Sequence, residues 1–148
     1  MALANVLNRF ERPVGGSKDN CLVLGGTVLT EAGQNLKTQI VSIPIGDVSA
    51  AGSVWVVPGI AGTILKISNV IDTTITTADA GLTFEIGGVA ITGADITIAF
   101  SGSLAGTVDQ STPSALNVIT ASEAIEVVKD GASTVASQGV VTFEIELS

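Results

Sequence analysis

From about residue 38 onward, apolar side chains recur at every second position. Val41, Ile43 and Ile45 alternate with Ser42 and Pro44, and Leu82, Phe84 and Ile86 with Thr83 and Glu85. Ile96, Ile98 and Phe100 alternate with Asp95, Thr97 and Ala99, and Val141, Phe143, Ile145 and Leu147 with Thr142, Glu144 and Glu146. Side chains two apart on a strand share a face, so each run predicts a strand with one apolar and one wet side. Ser53 to Val57 and Gly62 to Val70 alternate less cleanly but are rich in β-branched residues. Leu104 to Val108 and Ile125 to Val128 are shorter strand candidates.

Turn signals separate the runs: Pro58-Gly59, Gly87-Gly88, Thr92-Gly93, Ser101-Gly102-Ser103 and Asp130-Gly131. Strands divided by glycine turns at this spacing predict an all-β, jelly-roll-like antiparallel β-sandwich of about eight strands. The register predicts Leu82, Phe84, Ile86, Ile96, Ile98, Phe100, Val141, Phe143 and Ile145 inside, because a slip by one would bury Glu85, Asp95 and Glu144. The stretch Ser111 to Ala121 breaks the pattern, and Pro113 there opens either a short helix or a long crossover loop. Thr83-Phe84-Glu85-Ile86 returns as Thr142-Phe143-Glu144-Ile145. Four residues of this kind are what any half-buried strand favours, and imply no duplication.

Residues 1–37 read differently. They carry four of the six cations, two Gly-Gly pairs and no sustained period, and Pro13 and Gly15 stop any helix begun at Ala2 to Phe10. An extended N-terminal arm over 1–37 is therefore predicted before a sandwich domain over 38–148, with Cys21 to Leu24 as a possible strand within the arm.

Composition narrows the chemistry. The 148 residues contain no histidine and no tyrosine, which removes the commonest general base and metal ligand and every Ser-His-Asp arrangement. Paired carboxylates, for example Asp95 and Glu144, and a Ser-Lys pair survive this exclusion, but nothing in the sequence points to either, and an enzyme is not expected. Asp72, Asp79 and Asp95 fall near predicted strand ends, where carboxylates either converge on calcium or cap turns. Without an acidic calcium loop, capping is the expected role, and no cofactor is expected. Neither a P-loop nor a dinucleotide-type glycine motif occurs. The lone Cys21 allows no intramolecular disulfide and reads as a small buried hydrophobe, so folding is expected to need no oxidation. No run of about 18 apolar residues is present to span a membrane, and the N-terminus lacks the pattern of a secretory signal.

Net charge is −8, spread unevenly: residues 1–66 hold five cations against four anions, and 67–148 one cation against ten anions. Nucleic-acid binding, which needs a basic face, is not expected. An acidic half keeps a protein soluble or steers it toward a basic partner. Arg9, Phe10 and Arg12 form the densest cluster of interface-type residues and are the candidate partner contact. Trp55, among Ser53-Val54-Trp55-Val56-Val57, is expected in the core. A hydrophobic fraction of 46% with 14% charged residues also suggests surface shared between copies, hence a homo-oligomer, a dimer or trimer.

The segment from Val56 onward has the wording of small structural proteins of tailed bacteriophages. Its markers are Pro58-Gly59-Ile60-Ala61-Gly62-Thr63-Ile64, Thr76-Thr77-Ala78-Asp79-Ala80, the strand-turn-strand Leu82 to Thr92, and Ser101-Gly102-Ser103-Leu104-Ala105-Gly106-Thr107-Val108 followed by Ser111-Thr112-Pro113. Over about 90 residues this resembles the capsid decoration, or cement, proteins that stud phage heads. The resemblance implies a non-catalytic homo-oligomer on the capsid exterior, made in the host cytoplasm, with the major capsid protein as partner. It does not extend to the arm. The alternative from another class is a carbohydrate- or receptor-binding β-sandwich of a phage fibre or spike.

Overall fold

Alternating sequences with glycine turns close into hairpins, and in the computed structural model every regular element among the described residues is a strand. The structure describes Leu22–Leu24, Thr27–Leu29 and residues 37–148. The chain divides into two units, Met1–Lys37 and Thr38–Ser148. In the first, β1 (Leu22–Leu24) pairs antiparallel with β2 (Thr27–Leu29), Leu24 opposite Thr27. The rest of the expected arm, with Arg9, Phe10, Arg12 and Cys21, lies outside the described residues.

The second unit holds β3 (Thr38–Asp47), β4 (Gly52–Val56), β5 (Gly62–Ile71), β6 (Ala80–Ile86), β7 (Val89–Ala90), β8 (Ile96–Ile98), β9 (Val108–Ser111), β10 (Val118–Ile119), β11 (Ile125–Lys129) and β12 (Gln138–Leu147). One sheet runs β3–β12–β5, with β9 and β10 sharing the far edge of β5. The other runs β4–β11–β6, with β7 and β8 sharing the far edge of β6. All pairings are antiparallel, and one set is nested: β3 with β12, β4 with β11, β5 with β9 and β10, β6 with β7 and β8, while β5–β12 and β6–β11 join these pairs side by side within each sheet. Such a chain is one long hairpin rolled so that successive strand pairs fall in alternate sheets, which is the jelly-roll wiring.

The inner faces supply one core, with Ile64, Ile67, Val141, Phe143 and Ile145 from the first sheet and Leu82, Phe84, Ile98, Ile125 and Val127 from the second. The broken alternation of β5 has a local cause. Glu144 pairs with Lys66 and Ile145 with Ile64, leaving Leu65 as an extra residue in a bulge. Ile64 and Ile67 are consequently both buried while Leu65 and Lys66 are both exposed. A second register shift, between Gly139 and Val140, falls opposite Pro44 and Gly46 on the edge strand β3, where a proline costs no ladder bond inside the sheet.

Two strand expectations need correction, and one open alternative is decided. Phe100 is 46% exposed rather than inside. Strand β8 stops at Ile98 because side chains take over the next amides: Ala99 N–H donates to Ser103 Oγ (3.0 Å) and Phe100 N–H to Asp79 Oδ1 (2.9 Å). Leu104 to Thr107 is a turn, not a strand, closed by Thr107 N–H to the Leu104 carbonyl (2.9 Å) and tied down by Gly106 N–H to the Ile71 carbonyl (2.9 Å). In Ser111 to Ala121, Pro113 opens no helix; the segment stays extended, bridging Thr92 to Ala115 before β10.

Candidate interaction face

A sheet with one face on the core ordinarily turns polar side chains to water from the other. The outer face of the β3–β12–β5 sheet departs from this. Register fixes its rows: Val108 lies opposite Val70, Val70 opposite Val140, and Val140 opposite Pro44, giving an apolar band across four strands. The neighbouring row is neutral, Gln110, Ser68, Thr142 and Ser42, with the Thr142 and Ser42 hydroxyls 2.9 Å apart. The next row sets Lys66 opposite Glu144 and Glu144 opposite Ile40. Ile40, Leu65, Val108, Val118 and Val140 all rank among the exposed large hydrophobic residues.

At the β10 edge this surface continues into an open concavity of about 410 Å³ lined by Ile86, Val89, Leu116, Val118 and Glu123. Leu116 has φ +57° and is 60% exposed. A left-handed backbone disfavours a leucine, so the surrounding structure has to impose it. Hydrogen bonds on both flanks do so. Ser114 N–H donates to the Thr92 carbonyl (2.8 Å), and Thr92 N–H to the Ala115 carbonyl (3.0 Å). On the other side Asn117 Nδ2 donates to the Ile64 carbonyl (2.7 Å) while its own carbonyl accepts from Ile64 N–H (2.9 Å).

The outer face of the β4–β11–β6 sheet is different in kind. Trp55, expected in the core, is 59% exposed. Val54 and Val56 are the partly buried residues of β4 that pack on the core, and strand alternation turns Trp55 the other way. Trp55 lies opposite Glu126, and Glu126 opposite Glu85, so an indole and two half-buried carboxylates form one row across three strands.

The aspartates singled out from the sequence do not converge. Asp72 Oδ1 accepts from Gln138 N–H (2.8 Å) and Asp79 Oδ1 from Phe100 N–H (2.9 Å), both acting on turns. Among the described residues no group of three or more His, Cys, Asp or Glu is placed to hold a metal. Asp95 precedes β8 in one sheet, whereas Glu144 sits on the outer face of the other, so they make no catalytic pair. Among the described residues Asp47 is the most heavily engaged carboxylate. Its Oδ1 accepts from Ser49 N–H (2.9 Å), Ser49 Oγ (2.8 Å) and Ser137 N–H (3.1 Å). The Ser49 backbone bond, then the Ser49 hydroxyl, the Ser137 amide and the Lys129 charge, hold its pKa below the ordinary 3.8.

The aliphatic face was not singled out from sequence, yet it has a signal there. Adjacent residues on a strand point to opposite faces, so a doublet of aliphatics cannot be wholly buried under one sheet. Ile40-Val41, Ile64-Leu65, Val70-Ile71, Val118-Ile119 and Val140-Val141 are such doublets, all in the same sheet. Comparison with protein-family models, with curated proteins and with solved structures finds no match to this chain.

Proposed function

We propose that the chain is a structural virion protein that binds the outer surface of a phage capsid as a homo-oligomer and cements it. The observation that carries this reading is the aliphatic outer face of the β3–β12–β5 sheet, with Val108, Val70, Val140 and Pro44 in one band. Exposed apolar bands of this extent mark surfaces that other proteins cover. A jelly roll is a stiff module on which to carry such a surface. The wording of the segment from Val56 onward adds the capsid as its setting. In this reading Arg9, Phe10 and Arg12 meet the major capsid protein, while the sandwich, with eleven carboxylates against Lys66 and Lys129, faces outward and keeps particles apart. The test is mass spectrometry of purified virions of the encoding phage, with copy number measured against the major capsid protein. A ratio of one, or a simple fraction of it, is expected; absence from the virion overturns the reading.

A second reading rests on a specific residue. Trp55 in solvent beside Glu126 and Glu85 suits a saccharide, its apolar ring face on the indole and its hydroxyls donating to the carboxylates. A glycan array probed with the native chain and with Trp55→Ala separates it from the first: binding lost in the variant selects it, and no binding by either removes it.

A further inference from the structure

We propose that the outer face of the β3–β12–β5 sheet is the surface through which copies of this chain associate, its occupant being a second copy. The inference rests on the reading above in one respect, that the chain works as a homo-oligomer; the site on a capsid does not enter.

Charge decides between the two outer faces. Residues 38–148 carry eleven carboxylates against Lys66 and Lys129, so any second copy arrives as a strongly acidic body. Lys129 is not free to meet it, because its Nζ is turned to the Asp47 carbonyl at 2.9 Å. Lys66 is exposed and lies on the aliphatic face. The opposite sheet presents Glu126 and Glu85 side by side, which an acidic copy would repel. The first face carries Glu144 and Glu146 as well as Lys66, so a two-fold contact can set Lys66 of one copy against a carboxylate of the other, amid apolar side chains and a neutral hydroxyl row.

Its size fits. The three long strands β3, β5 and β12 have ten residues each. At ~3.3 Å per residue and ~4.8 Å between strands, with a fourth strand at the edge, the face measures about 30 Å by 15–20 Å. That is about 450–600 Å² in projection, at the lower limit of the ~600–1,000 Å² per partner of a specific interface. The concavity beside Val118 extends the apolar surface around the edge, so a neighbour's protruding side chain has a place to seat.

The test is sedimentation of the full chain through a micromolar concentration series, with far-UV circular dichroism as the control for folding. The wild-type chain is expected to self-associate. Val140→Glu and Lys66→Glu, both at exposed positions, are each expected to raise the dissociation constant roughly tenfold or more, and Trp55→Ala to leave it unchanged. A strictly monomeric wild-type chain overturns the inference, as does association that survives both substitutions. If instead the variants stay oligomeric but no longer bind undecorated heads, the face belongs to a capsid partner and the inference fails while the proposed function stands. An oligomer that depends on Val140 and Lys66 in a chain absent from virions gives the reverse outcome.

Discussion

Phe84 and Phe143 meet edge to face between the two sheets, ring centroids 5.9 Å apart and planes at 90°. Each is the second residue of the repeated Thr-Phe-Glu-Ile tetrapeptide, one copy on β6 and the other on β12. Both rings are fully buried. The repetition is thus two strands solving the same problem on opposite walls of one core, with Phe and Ile inward and Thr and Glu outward. Phe84→Ala or Phe143→Ala is expected to cost about 3–5 kcal/mol, measured by chemical denaturation. The double variant should show a coupling of about 0.5–1.5 kcal/mol, the share owed to the aromatic contact itself.

Lys129 and Asp47 tie the sheets together at one end, the lysine closing β11 and the aspartate closing β3. Folding holds the proton off Asp47, so the unfolded chain takes it up more readily. The stability it confers is therefore complete above the ordinary carboxylate value of 3.8 and is lost as pH falls through the lowered one. Carboxyl NMR titration should place the Asp47 midpoint below 3.8. In Asp47→Asn, denaturation measured from neutral pH down to acid should lose that part of the acid sensitivity. Unchanged acid sensitivity would show that other groups govern it.

Asn69 is fully buried on the inner face of β5, and neither its Oδ1 nor its Nδ2 has a hydrogen-bond partner within the protein. An unpaired buried amide costs about 1–3 kcal/mol relative to one left in water. Asn69→Leu, which keeps the side-chain length and removes the polar atoms, is expected to raise stability by about 1 kcal/mol in urea denaturation. A loss of similar size would mean that the amide contributes more than it costs.

Deleting residues 1–12 removes Arg9, Phe10 and Arg12, two of the four cations that precede residue 38. An extended segment reaches about 3.3 Å per residue, enough to cross a seam between capsid subunits, and guanidinium groups pair bidentately with surface carboxylates. The truncated chain is expected to lose binding to undecorated heads and to leave their heat resistance unimproved. Unchanged binding and protection would move the capsid contact to the sandwich.

The sequence made the strands legible wherever alternation was strict. Leu82 to Ile86 and Val141 to Ile145 have one register that keeps Glu85 and Glu144 out of the core, so the buried set follows from the penalty on burying charge. It equally determined the turns, because Asp130-Gly131 and Gly87-Gly88 offer backbone conformations that other residues resist; Gly131 has φ +67° and passes so near Ala51 that a Cβ would meet its backbone nitrogen. Tertiary structure decided the rest. Which strand pairs with which depends on contacts between residues far apart in the chain, such as Ile125 between Val56 and Ile86. Phe100 continued an alternating run, but Asp79, brought from 21 residues away, and the nearby Ser103 took the amides that the strand would have needed. Trp55 went outward because Val54 and Val56 filled the core. The aliphatic doublets announced that some apolar side chains would face water; only the pairing of β9, β5, β12 and β3 gathered Val108, Val70, Val140 and Pro44 into one band, since a row across a sheet exists only once its strands are in register.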